Sequence, residues 1–104
     1  MCFRKYPVNR FELSDYQYYI DNFPSERILG KINNSKDAAK KAENVWIELY
    51  GEDIKNEKPY QIFYNSQNDV WLIQGSLPPN TLGGVANILI EGSTGKTLAV
   101  WHDK

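Results

Sequence analysis

Acid–base chemistry in this chain would depend on His102, which is its single histidine. A general base needs an orienting partner and a substrate proton within hydrogen-bonding reach. The adjacent Asp103 does not supply that partner in a strand, because successive side chains then point to opposite faces. A lone histidine of this kind is more often structural than catalytic. The sequence therefore predicts no catalytic residues and no enzymatic activity.

Four carboxylates lie close together near the middle of the chain: Glu48, Glu52, Asp53 and Glu57. They could form an acidic patch that meets basic groups on a protein partner, since complementary charge steers association. The alternative is a solvated loop, because Lys55 and Lys58 nearly cancel the charge. The group lacks the Asp-x-Asp spacing of a calcium loop, and a single cysteine and a single histidine exclude a Cys/His zinc site. We therefore predict neither a metal site nor a cofactor.

The clearest element that positions these residues is a helix predicted over residues 36–50. Ser35 is the expected N-cap, and Asp37 lies in the first turn, where the helix dipole favours negative charge. Gly51 is the expected C′ glycine. One apolar stripe recurs at helical spacing and should pack on the core: Ala38, Ala42, Val45, Trp46 and Leu49.

Four strands are predicted after the helix, over residues 59–65 and 70–77 and in a closing hairpin whose turn lies at 93–95. A turn at 78–80 ends the second strand. Gly83-Gly84 lacks the other residues of a phosphate-loop motif, so we expect this pair to let the chain turn into the third strand. Gly95 should supply a positive φ in the hairpin turn. Short turns favour an antiparallel meander. We therefore predict an α+β fold, with a curved sheet of four to five strands packed on one long helix.

Alternation along the closing hairpin assigns its side chains to two faces of the sheet. The row expected to face the helix is Ala86, Ile88, Ile90, Leu98 and Val100. The opposite row, with Phe63 added from the first strand of the meander, is Val85, Asn87, Leu89, Glu91, Thr97, Ala99 and Trp101. Two interpretations of this second row remain open. Its aromatic anchors could bind a partner, or the tyrosine-rich N-terminal residues could fold over it, since large apolar patches rarely stay exposed.

The N-terminal third carries a weaker pattern, with a short helix predicted within residues 13–20 and a short strand at 28–32. Ser14 or Asp15 would cap this helix, and Pro24 limits its length. At 104 residues the chain should form a single domain, in which an aromatic-rich segment (1–35) precedes the helix and meander (36–104).

Composition narrows the possible partners. A net charge of −1 gives no surface that would track phosphates, so direct binding of nucleic acid is not expected. No apolar run approaches the length of about 20 residues that a membrane span needs. A single cysteine leaves no intramolecular disulfide, which favours a cytoplasmic location.

Several short motifs occur in order along the second part of the chain: Glu57-Lys58-Pro59-Tyr60, Trp71 with Gly75, Leu77-Pro78, Gly83-Gly84-Val85, Gly95 with Leu98, and the final His102 and Lys104. From about residue 36 to residue 104, this series resembles bacterial immunity proteins with a nuclear transport factor 2-like fold, which are associated with polymorphic toxin systems. The chain has fewer elements than full members of that fold, so it is an abbreviated version.

The resemblance implies a protein that binds and neutralises a cognate toxin by stoichiometric inhibition, without catalytic residues. A nuclease effector domain is one candidate toxin, and the inhibitor is expected to be a monomer or a weak dimer. The alternatives are a small-molecule-binding protein or enzyme of the same broad fold, and a homo-oligomeric structural module. From the outward row and the acidic patch, the expected toxin-binding residues are Phe63, Leu89, Glu91, Trp101, Glu52 and Asp53.

Overall fold

A computed structural model describes residues 8–78 and 83–103, so most of the predicted 78–80 turn lies outside the described residues. Two short 3-10 helices, Leu13–Tyr16 and Glu52–Glu57, accompany the regular elements. The α-helices and strands are α1 (Gln17–Asn22), α2 (Ser35–Tyr50), β1 (Val8–Arg10), β2 (Gln61–Asn65), β3 (Val70–Gln74), β4 (Ala86–Glu91) and β5 (Thr97–His102).

Within the described residues, the sheet has five strands in the order β1-β2-β3-β4-β5. Strands β2 to β5 form the predicted antiparallel meander, and the α+β fold class is confirmed. The fifth strand differs from the prediction. It is β1, which pairs in parallel with β2 through Val8 and Ile62 and makes the sheet mixed. The predicted strand at 28–32 is wrong, because Ile28 forms only an isolated bridge with Lys96.

Strands β2 and β3 are shorter than predicted, for local reasons. Strand β2 begins at Gln61, beyond Pro59, which has no backbone N–H to donate to a ladder. Strand β3 ends at Gln74, and the residues after it pack against the second 3-10 helix. There the Ser76 N–H donates to the Glu57 carbonyl at 2.7 Å.

Asn34, and not Ser35, caps the long helix α2. Its side-chain oxygen accepts a hydrogen bond from the Asp37 N–H at 2.8 Å, and its backbone is extended, as an N-cap requires. The Asp37 carboxylate in turn accepts from the Asn33 N–H at 3.0 Å. Together these two hydrogen bonds fix the first turn, so the prediction for Ser35 is wrong by one residue. Gly51 follows the last turn with a φ of 92°, as expected of a C′ glycine.

The apolar stripe of α2 packs against the sheet, except at its end. Leu49 was expected in the stripe but is 46% exposed, whereas Ala39 is buried. Ile54, from the 3-10 helix that follows, joins this core instead. The core between α2 and the sheet contains Ala38, Ala39, Ala42, Val45, Trp46, Ile54, Ile62, Ile73, Ala86, Ile88 and Ile90.

A β-bulge in the closing hairpin reverses part of the predicted alternation. Leu89 pairs with Ala99 but Ile90 pairs with Thr97, so β5 carries one extra residue at this point. Leu98 therefore packs on the outer cluster, although Val100 faces the helix side as predicted. Thr97, assigned to the outer row by simple alternation, lies opposite the helix-facing Ile90.

The N-terminal residues wrap around β5. The segment that follows α1 forms backbone hydrogen bonds with the outer edge of β5 and with the turn before it. The Thr97 N–H donates to the Arg27 carbonyl at 2.8 Å, and the Leu29 N–H donates to the Gly95 carbonyl at 2.9 Å. Gly95 has a φ of 73°, as predicted, and a Cβ there would lie 2.0 Å from the Gly30 carbonyl oxygen. The edge of the sheet is therefore closed by close backbone packing.

The predicted N-terminal helix is present in two pieces, the first 3-10 helix and α1, which continues to Asn22. Neither Ser14 nor Asp15 caps it, because the residues at the N-caps are Glu12 and Tyr16 and neither forms a side-chain cap bond. Within residues 8–78 and 83–103, no helix combines the length and the apolar character needed to cross a membrane.

Candidate functional site

The outward apolar row of the sheet is covered, so the second interpretation of that row is confirmed. Leu89 is fully buried and Trp101 is 4% exposed. Tyr19 stacks on Trp101 with ring centroids 4.2 Å apart and an interplanar angle of 9°. Phe63 is half-buried, with Phe11 edge-on at 6.5 Å. A partner could reach these side chains only if the N-terminal residues moved away.

Glu91 organises the hairpin turn. Its carboxylate accepts a hydrogen bond from the Thr94 hydroxyl at 2.8 Å, and its backbone N–H donates to the Lys96 carbonyl. The side chain is half-buried. These contacts account for an acid at this position without a partner protein.

The last two predicted residues, Glu52 and Asp53, lie on an exposed surface at the end of α2. Leu49 and Tyr50, which are 46% and 40% exposed, precede them, with Gly51 between. We call these four residues the helix-end patch: Leu49, Tyr50, Glu52 and Asp53. Glu52 forms an ion pair with Lys55 at 2.8 Å, and both side chains are largely exposed. The structure thus keeps Glu52 and Asp53 at the surface, separate from the half-buried Phe63 and the buried Leu89 and Trp101.

The other two acids of the predicted patch are paired with residues from distant parts of the chain. Glu48 forms an ion pair with Arg27, and Glu57 forms one with His102. Sequence reasoning left the four carboxylates as either one acidic patch or a solvated loop, because it could not anticipate these partners. It also placed Leu49 in the core. The sequence signal for the exposure of Leu49 is Gly51, which ends the helix and changes the direction of the chain, so that the last helical turn is not covered.

His102 is held by two acceptors. Its Nε2 lies 2.9 Å from Glu57 Oε2, and its Nδ1 lies 2.7 Å from the Asp103 carbonyl oxygen. Burial disfavours the charged ring, but the bonds to Glu57 and Asp103 outweigh it and raise the pKa of His102. An imidazolium that donates to both acceptors satisfies this geometry, and it leaves neither nitrogen free to act as a base.

Glu57 connects the histidine to the rest of the fold. Its second oxygen, Oε1, accepts from the Ala86 N–H at 2.8 Å at the start of β4. Gly75 leaves the space for this carboxylate, because a Cβ at that position would lie 2.2 Å from Oε1. The pair thus ties the second 3-10 helix, β4 and β5 together, and its role is structural.

A basic groove runs between α2 and the start of β2. The cavity has a volume of about 260 Å³ and is lined by Lys36, Ala39, Lys40, Glu43, Lys58 and Tyr60. Glu43 accepts from the Tyr60 hydroxyl at 2.6 Å and lies 3.2 Å from the Lys58 ammonium. Burial opposes its charge, but these two contacts hold the pKa of Glu43 below its usual range. The sequence signal for this groove is the i,i+4 spacing of Lys36 and Lys40.

A second cavity of about 200 Å³ lies where β1 and β2 end, lined by Arg10, Phe11, Glu12, Tyr64, Asn65, Ser66 and Gln67. Asn65 is buried there and donates to the Phe11 carbonyl at 3.0 Å. His102 lines neither of the two cavities described here. Among residues 8–78 and 83–103, no group of three or more His, Cys, Asp or Glu side chains is arranged to hold a metal ion.

Comparison with known proteins identifies the family. The chain matches the NTF2 fold immunity protein family over residues 37–104, which includes almost all of α2 and the whole meander from β2 to β5. No curated protein and no solved structure matches the chain. The family match covers more than half of the chain and confirms the resemblance stated from its motifs. An α+β fold with one long helix on an open five-stranded sheet is consistent with it. The chain therefore belongs to the NTF2-fold immunity proteins.

Proposed function

We propose that this protein binds a cognate bacterial toxin in the cytoplasm and neutralises it by stoichiometric inhibition. The family match over residues 37–104 carries this proposal, because an immunity protein implies a toxin as its partner. The proposed mechanism is occlusion of the toxin by a preformed surface, without catalysis. The hydrogen-bonded state of His102 favours this mechanism, since a base needs a free lone pair.

We propose the helix-end patch as part of the toxin contact. Tyr50 and Leu49 offer exposed apolar area, and Tyr50 is anchored by an edge-on contact with the His102 ring at 5.4 Å. Glu52 and Asp53 supply negative charge at the margin. An aromatic or apolar anchor beside charged groups is the usual anatomy of a protein interface. A toxin with a basic active site, such as a nuclease, would complement these acids.

Co-expression with the toxin domain encoded beside this protein tests the function. Wild-type protein should restore growth of cells that produce the toxin, and the two should co-purify as a 1:1 complex. An unrelated toxin domain serves as the control and should remain toxic. The proposal fails if the cognate toxin is neither bound nor neutralised.

The double variant E52K/D53K tests the surface separately. We expect it to weaken toxin binding about tenfold or more, because it places like charges against the partner. The matched control, E12K/E26K, changes the net charge equally at exposed acids of the N-terminal residues and should bind as wild type does. If E52K/D53K binds as tightly as the control, the helix-end patch is not part of the contact.

A further inference from the structure

The charged residues on the exposed side of α2 are arranged in a way that does not stabilise the helix. Lys36, Lys40, Asn44 and Glu48 recur every four residues and are all exposed, so they form one stripe along the helix. The helix N-terminus carries partial positive charge and the C-terminus partial negative charge. Lys36 in the first turn and Glu48 in the last turn therefore oppose the helix dipole, and the last turn contains no basic residue.

The two lysines of this stripe share the basic groove with Lys58. The carboxylate within the groove, Glu43, is already engaged by Tyr60 and Lys58. The nearest acid on the helix, Asp37, is ion-paired with Lys41 at 3.1 Å. Across residues 8–78 and 83–103, neither Lys36 nor Lys40 forms an ion pair. The groove therefore has two positive charges available to a partner.

The groove also has an apolar wall beneath these charges. Ala39 and Tyr60 line it and are only 3% and 6% exposed. A site with an apolar wall and ammonium groups at its rim suits a carboxylate on an aliphatic stem, because both parts of such a side chain are then matched.

We propose that the basic groove receives an acidic side chain presented by the toxin, an inference that rests on the proposed toxin binding. Lys36 and Lys40 contact the carboxylate from the rim, while its stem lies along the aliphatic parts of the lysine side chains above Ala39 and Tyr60. The groove is then a second contact, of opposite charge to the helix-end patch on the same helix, and the two together orient the toxin along α2. Opposite charges at two ends of one surface fix the direction of docking as well as its affinity.

Charge reversal in the full-length protein tests this contact. The variant K36E/K40E should bind the cognate toxin domain about 10- to 100-fold more weakly than wild type in calorimetric titration. The loss should shrink at high salt, since exposed charges are screened. The control K31E/K96E makes the same change in net charge at exposed lysines that do not line the groove, and it should bind within about threefold of wild type.

Loss of folding would not explain this result. K36E places negative charge in the first turn of α2, where the dipole favours it, whereas K40E adds negative charge three residues from Asp37 and Glu43. The two effects oppose each other, so thermal unfolding should occur close to the wild-type temperature. Equal binding by wild type and K36E/K40E overturns the groove contact and leaves the proposed function intact. Equal weakening by K36E/K40E and K31E/K96E also overturns it, because net charge alone would then account for the loss. Absence of binding by wild type overturns both proposals.

Discussion

Glu57 and His102 are the residues whose contacts reach furthest through this fold. The carboxylate accepts from the His102 ring and from the Ala86 N–H, and its backbone carbonyl accepts from the Ser76 N–H. Two segments that are distant in sequence, β4 and β5, are therefore bonded by one side chain. Sequence reasoning described His102 as structural or solvent-exposed, and it left Glu57 in either an acidic patch or a solvated loop, because no spacing connects the two residues.

Replacement of Glu57 by Gln should lower the pKa of His102, since the neutral amide no longer stabilises the imidazolium. His102 is the single histidine, so one ring signal in an NMR titration reports its pKa directly. The variant E52Q is the matched control, because Glu52 lies in the same 3-10 helix but pairs with Lys55. An unchanged titration midpoint in E57Q would contradict the assigned ion pair.

The same pair should make stability depend on pH in a defined direction. The pKa of His102 is raised in the folded state, so its contribution is complete below the unfolded value of about 6.5 and is lost as pH rises through the folded pKa. Urea unfolding of wild type should therefore show a lower midpoint above this interval than below it. In E57Q the urea midpoints measured above and below this interval should differ less than in wild type. If they differ by the same amount, the pH dependence of stability comes from groups other than this pair.

At the scale of elements, long periodic patterns were predictable and single-residue choices were not. The helix and the closing hairpin follow from apolar repeats over many residues. The bulge at Leu98 does not, because one extra residue reverses alternation without a mark in composition. Strand β1 pairs in parallel with β2, far along the chain, and no local signal predicts such a partner. The start of α2 offers three residues of types that favour the N-cap position, Asn33, Asn34 and Ser35, so the sequence alone does not identify the cap.

Alanine substitutions distinguish these three residues at the start of α2. N34A should reduce the free energy of unfolding by about 1 kcal/mol, because its side chain bonds the Asp37 N–H. N33A and S35A are the controls, since only the backbone N–H of Asn33 is engaged and Ser35 lies within the helix. Chemical unfolding of all three variants checks the order. A larger loss in S35A than in N34A would restore Ser35 as the cap.

The aromatic cover depends on Tyr19. Y19A removes a ring stacked on Trp101 and should reduce the free energy of unfolding by about 2 kcal/mol. It should also increase binding of an apolar dye, since the sheet face becomes accessible. The control is Y18A, whose side chain is 64% exposed and which should change stability little. Equal effects of the two substitutions would show that Tyr19 does not anchor the cover.

At the scale of the whole molecule, the N-terminal residues decide which surfaces a partner can meet. They cover one face of the sheet and bond the outer edge of β5. Sequence reasoning described both outcomes for the outward row but could not choose between them, because the choice depends on how aromatic side chains pack in three dimensions. Exposure of Glu52 and Asp53 was predictable, since charged residues after a helix C-terminus rarely find a buried place.

The covered sheet face and the bonded edge of β5 are not available for self-association, so we expect the protein to be a monomer. Light scattering across a wide concentration range should give a constant molar mass near 12.0 kDa. A mass that rises to a stable multiple of this value would instead support the homo-oligomeric module.

The family match begins at residue 37, but the residues before it contribute a strand, an aromatic cover and the backbone partners of β5. A chain shortened to the matched region would expose Trp101 and Leu89 together with an unpaired strand edge. Such an edge beside an apolar face is a template for intermolecular β-pairing. Shortening would therefore turn this protein into an aggregation-prone species, so the boundary of family similarity is not the boundary of the folding unit.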